Sequence, residues 1–221
     1  MVRWRRIGEA VIVLAVLGLV AGSAQAISIS VPNYSFEIPD VDGNNKAFPG
    51  GSNITSWSSS TNCSTSAHIG CWDSAIPGVT GGQHAMVYIA GTDNGKWIKL
   101  TSGVLAQSVS GETYTASADF ASAATSWQPA LVELQLWVGG SKVASVAGTQ
   151  TDTFTTASVD YASGTAGADV YVQVLFTGAG GTTNPNKAAV DNVQLSVTPE
   201  PAAMSLLAVG GLGLLMRRRR R

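Results

Sequence analysis

Residues 130–147 read A-L-V-E-L-Q-L-W-V-G-G-S-K-V-A-S-V-A. Val132, Leu134, Leu136 and Val138 alternate with Glu133, Gln135 and Trp137, the period of a strand with one face in a core. Gly139-Gly140 is a two-residue turn, and Lys142 to Ala147 reads as the returning strand of a hairpin. The same alternation runs upstream, where Tyr114, Ala116, Ala118 and Phe120 face one way and Thr113, Thr115, Ser117 and Asp119 the other. Further strands are expected at 29–31, 54–58, 85–89, 97–100, 104–109, 153–161, 170–176 and 188–197, set between Gly, Asn and Asp clusters. No segment carries an apolar stripe at helical spacing, so about ten short strands predict an all-β domain of two packed sheets.

The ends of the chain are of a different kind. Residues 197–221 read V-T-P-E-P-A-A-M-S-L-L-A-V-G-G-L-G-L-L-M-R-R-R-R-R. Pro199 and Pro201 stop a helix from continuing upstream, so the apolar run Ala202 to Met216 starts afresh. As a helix it spans about 22 Å, short of the roughly 30 Å core of a bilayer. Arg217, Arg218, Arg219, Arg220 and Arg221 stay cytoplasmic, which places everything before Pro199 across the membrane. At the other end, Arg3, Arg5 and Arg6, the apolar run Val11 to Val20 and Ala24-Gln25-Ala26 describe a cleavable signal peptide over 1–26. Between them lies a passenger, 27–198, of one domain, followed by the tail 199–221.

All eight arginines fall in the two end segments, leaving the passenger five lysines against twelve carboxylates, a net charge of 5 minus 12, or minus seven. An acidic, arginine-free surface repels phosphate backbones and argues against nucleic acid as a partner. Cys63 and Cys71, in an exported chain, are expected to close a small disulfide loop. A metal site of Cys63, His68 and Cys71 is the rival reading and lacks a fourth ligand. Neither histidine sits in a nucleophile or zinc-protease motif, and Gly91–Lys96 reads as a turn. The stretch 40–44 echoes part of a calcium loop but lacks its closing Glu. Glu112 and Glu133 are a candidate acid/base pair of unknown separation. The aromatic residues give a better lead, because a sugar stacks its CH face on an indole. Trp72, Trp127, Trp137 and Trp97 are the candidate ligand-binding residues, and Trp57 is expected in the core.

Pro199-Glu200-Pro201, the short Leu/Gly helix and the arginine cluster resemble the PEP-CTERM sorting signal of exported bacterial proteins. The resemblance implies export by the secretion machinery, transient residence in the inner membrane through the C-terminal helix, and recognition and cutting by an exosortase-type membrane protease. Delivery to the cell surface or extracellular matrix of a bacterium with an outer membrane follows. An ordinary tail anchor is the plain alternative.

Asn33-Tyr34-Ser35-Phe36-Glu37 opens the passenger and Asp191-Asn192-Val193-Gln194-Leu195 closes it. This pairing resembles the jelly-roll domains of carbohydrate-binding modules and galactose-binding-like proteins. It implies a single jelly-roll β-sandwich in which Glu37 and Asp191 ligate a structural calcium, and it implies polysaccharide as a partner. Asp191, in step with Val193, Leu195 and Val197, is expected on the inward face of its strand. A structural surface protein without ligand, and a jelly-roll lyase, cyclase or glycosidase-like enzyme, are the alternatives.

Overall fold

The computed structural model describes residues 25–38, 40, 46–49, 54–64, 67–73, 76–122, 128–179 and 184–200. The expected C-terminal helix, most of the signal peptide, residues 41–44 and Trp127 lie outside them. Fourteen strands follow in order: β1 (Ile27–Ile29), β2 (Lys46–Pro49), β3 (Trp57–Thr61), β4 (His68–Asp73), β5 (Gln83–Ile89), β6 (Trp97–Ser102), β7 (Ala106–Gln107), β8 (Glu112–Ala121), β9 (Gln128–Pro129), β10 (Leu131–Val138), β11 (Ser141–Ala147), β12 (Thr155–Ala162), β13 (Asp169–Thr177) and β14 (Asn186–Pro199).

They form a jelly-roll sandwich. The eight-stranded sheet runs β12-β8-β14-β5-β4-β2, with β1 and β9 also paired to β14. The six-stranded sheet runs β11-β10-β13-β6-β3, with β7 on β13. The 130–147 hairpin is present, with Leu134 opposite Val146 and both turn glycines at positive φ, which a two-residue turn of this kind requires. β1 begins at Ile27, the first residue after the expected signal-peptide cut, and pairs with the far end of the passenger, Ile27 opposite Val197.

The core fills the space between the sheets. Ile69, Val87, Tyr114 and Phe120 enter from one side and Leu100, Leu134, Leu136, Val172 and Phe176 from the other, all fully buried. Full burial of each such side chain contributes about 1.5–3 kcal/mol. The opening motif is part of this frame. Phe36 is a buried plug against Trp57, ring centroids 5.3 Å apart, and Trp57 is in the core as expected. The Asn33 side chain ties the loop together, donating to the Ile38 carbonyl at 2.7 Å and the Thr55 carbonyl at 3.0 Å.

Two expectations are corrected here. Cys63 and Cys71 are free thiols. Cys63 follows β3 of the six-stranded sheet, its Sγ 3.4 Å from the Trp97 carbonyl, whereas Cys71 is buried in β4 of the eight-stranded sheet. The short link between them crosses from one sheet to the other, so nearness in sequence does not bring the sulfurs together; burial pushes the Cys71 thiol up to about 11. Asp191 also does not share a face with Val193. A bulge interrupts the β14–β8 register between Asp191 and Gln194, with Asn192 at φ 49. Ala188 and Val190 face the core before it and Val193 and Leu195 after it, leaving Asp191 on the opposite side of the sheet.

Candidate functional site

The outer face of the six-stranded sheet gathers two of the four candidate tryptophans. Because Ile98 and Leu100, Val132 to Val138, and Val170 to Phe176 place alternate residues in the core, the intervening ones line up outside. Register sets them in rows. Trp97, Thr177 and Leu131 form one; Lys99, Leu175 and Glu133 the next; Thr101, Gln173 and Gln135 the third; Tyr171 and Trp137 the last. Six residues of β13 separate the end rows, about 20 Å at strand rise. Trp137 and Tyr171 stack with centroids 5.8 Å apart, and Lys99 lies 4.4 Å above the Trp97 ring.

The middle of the face is polar and closely packed. Gln135 and Gln173 are buried; the Trp137 indole NH donates to Gln135 Oε1 at 3.0 Å, and Gln173 donates to Thr101 Oγ1 at 2.8 Å. Gln173 Oε1 has no hydrogen-bond partner among the described residues. Lys142 pairs with Glu133 at 2.8 Å. Burial pushes the Glu133 carboxyl up, but hydrogen bonds from Lys142, Ser145 and Gln135 outweigh it and hold the group below its ordinary value. A shallow hollow at the Trp97 end is lined by Leu131, Glu133, Ser145, Leu175 and Thr177.

Trp72 lies elsewhere, on the outer face of the eight-stranded sheet with His68, Met86, Tyr88 and Lys187 around a small cleft. Glu112 and Glu133 are on different sheets and form no acid/base pair. His68 projects outward from β4 whereas Cys71 is a core residue, and among the described residues no three acidic, histidine or cysteine side chains cluster as a metal site. The 91–96 segment is a turn, with the Asp93 NH on the Ala90 carbonyl and the Lys96 NH on the Asp93 carbonyl. Sequence reasoning missed Tyr171, Gln173 and Thr101. Alternation marks each as outward, but only the long-range pairing of β13 with β6 and β10 sets them beside Trp97 and Trp137.

Glu37 and Asp191 do come together, on the segment leading into β5. Glu37 Oε1 accepts from the Gly82 and Gln83 NH groups at 3.0 and 3.1 Å, and Asp191 accepts from Thr80 NH at 2.5 Å and Asn192 NH at 2.7 Å. Gly81, at φ 80, has no room for a side chain, because a Cβ would collide with the Glu37 carboxylate. Asp191 is fully buried. Burial first, then the charges of Asp119 and Glu37, push its carboxyl up to about 7 despite the two NH donors. His84 is buried next to this junction, edge-on to Phe154 at 5.6 Å.

Residues 197–221 match the model of the PEP-CTERM protein-sorting motif. That match marks the chain as exported and sorted at the membrane to the cell surface, with exosortase processing. No curated protein matches the chain significantly in sequence. Among solved structures, the chain is similar to a Stig cyclase, Fisc, from Fischerella sp. TAU in complex with an indole compound (18% identity, TM-score 0.63, covering 80% of this chain and 100% of that one). It is similar to the α-L-arabinofuranosidase MgGH51 bound to arabinose (16% identity, TM-score 0.51, 80% of this chain and 27% of that one). It is similar also to the module TmCBM61 in complex with β-1,4-galactotriose (11% identity, TM-score 0.49, 76% and 97%). Enzymes and a carbohydrate-binding module thus stand among its structural neighbours. The first two likenesses show the shared sandwich fold and not a shared activity.

Proposed function

We propose that the passenger is a surface-delivered, non-catalytic polysaccharide-binding domain, and that the chain is gripped along the outer face of the six-stranded sheet. The observation that carries this is the arrangement of that face: Trp97 at one end, the Trp137–Tyr171 pair at the other, and between them the Gln135 and Gln173 amides, of which Gln173 Oε1 has no hydrogen-bond partner among the described residues. Aromatic rings supply flat apolar area for sugar CH faces, and amides and hydroxyls supply directional bonds to sugar OH groups. The length of the face suits an extended chain of several sugar units. Loss of Trp137 together with Tyr171 should weaken retardation in gels containing the host's exopolysaccharide about tenfold, an effect of roughly 1.4 kcal/mol. Trp72→Ala should leave it unchanged. The reverse pattern would move the site to the eight-stranded sheet, and no retardation by any glycan would leave a structural coat protein. Reducing ends appearing with time would show a hydrolase.

Glu37 and Asp191 would hold a structural calcium, with backbone carbonyls completing its shell. What supports a cation here is the fully buried Asp191 carboxylate, which feels the charges of Asp119 and Glu37; the three do not cluster closely enough to form a metal site by themselves, so backbone carbonyls would have to supply most of the shell. Bound there, the ion would supply the positive charge that offsets those carboxylates.

A further inference from the structure

The last strand does not stop where the passenger was expected to end. Val197, Thr198 and Pro199 pair with Tyr114, Thr113 and Glu112, and the Glu200 NH donates to the Gly111 carbonyl at 3.1 Å. The Glu200 carboxylate lies over the same turn, 3.7 Å from where a Gly111 Cβ would stand. That turn is itself held in place. The Gly111 NH donates to the Ser163 carbonyl at 2.8 Å, and the buried Tyr114 hydroxyl accepts from Val109 NH at 3.0 Å while donating to Glu112 Oε2 at 3.1 Å. Of Pro199-Glu200-Pro201, the first residue is therefore paired in the sheet and the second is bonded to the turn beside it.

A protease takes its substrate as an extended backbone whose hydrogen-bonding groups are free, so a bond inside a paired strand becomes available only when that strand lifts. Lifting 198–199 would leave Thr113 and Glu112 of β8 without their β14 partners and begin to uncover Val197, which packs on the core, with fully buried Leu195 next in line. A cut on the C-terminal side of Glu200 breaks none of the pairing seen in β14. We infer that the sorting cut falls at the Glu200–Pro201 bond or beyond it, so that the mature passenger keeps Pro199, the end of its last strand, and Glu200, whose NH is bonded to the Gly111 carbonyl. This rests on the reading of 197–221 as a processed sorting signal.

Intact-mass measurement and C-terminal peptide mapping of the protein recovered from the surface of its native cells test the point. The expected result is that every processed molecule contains Glu200. A processed C-terminus at Pro199 or earlier overturns this inference while leaving sorting intact. Surface material still ending at Arg221 overturns both.

Discussion

His84 shows how much one buried side chain can set. It is fully buried and neither ring nitrogen has a hydrogen-bond partner among the described residues. Burial lowers its pKa from about 6.5 to about 4. The unfolded chain therefore binds the proton first, so the stabilising effect of the neutral ring is complete above about pH 6.5 and is lost as pH falls toward 4, by about 3 kcal/mol at most. Asp191, pushed up to about 7, works in the opposite sense, its contribution fading as pH rises from the ordinary carboxyl range. A comparison of variants separates the two: urea midpoints of His84→Met should lose much of the wild type's decline between pH 6.5 and 4.5. An unchanged decline would mean that the ring does not titrate in that window. Neither the burial of His84 nor the unsatisfied amide of Gln173 is legible from the residues beside it. His84 alternates outward along β5, and what covers it includes Phe154, seventy residues away in sequence. Trp57, with its ring in the core, was legible because a large apolar side chain in a strand has few other places to go.

Among the elements, β8, β10 and β13 were readable because apolar core residues recur at every second position along them, and β11 because the Gly139-Gly140 turn returns the chain beside β10. β4 was not: His68-Ile69-Gly70-Cys71-Trp72-Asp73 follows a Ser/Thr/Asn stretch and carries buried residues on both faces, so no alternation marks it. The bulge in β14 escaped notice for a different reason. Asn192 is an ordinary strand-edge residue by composition, and its left-handed backbone appears only when β14 is set against β8. The bulge makes a test at this scale. Asn tolerates φ 49 and its amide donates to Asp119 Oδ2 at 2.9 Å, whereas a β-branched side chain does not tolerate that conformation. Asn192→Val should lower stability by about 2 kcal/mol, and Asn192→Gly by less, since glycine keeps the backbone and loses only the amide bond. Thermal melting of the two variants checks the order. Equal losses would mean that the side-chain bond, and not the backbone, matters there.

At the scale of the molecule, Glu37 lies near the start of the passenger and Asp191 near its end, and both seize the same segment leading into β5. Their meeting was legible only through the resemblance of the paired motifs, because no local pattern relates residues so far apart. The proposed calcium would therefore join the first loop, the middle of the chain and the last strand, so its removal should loosen the whole sandwich and not one loop. With free calcium at about 100 times its dissociation constant, the folded state gains about 2.7 kcal/mol. For a domain of this size that raises the melting midpoint by about 5–10 °C. Chelator should abolish the gain in the wild type. In Glu37→Gln or Asp191→Asn, calcium and chelator should give nearly the same midpoint, because the ion has lost a charged ligand. Asp191→Asn carries a second expectation: its metal-free midpoint should lose the fall that the wild type shows as pH rises toward 7, since the carboxyl that burial pushes up to about 7 is gone. Wild-type melting curves that coincide in millimolar calcium and in chelator would remove the ion from the site, leaving the two carboxylates to the four backbone NH donors seen among the described residues.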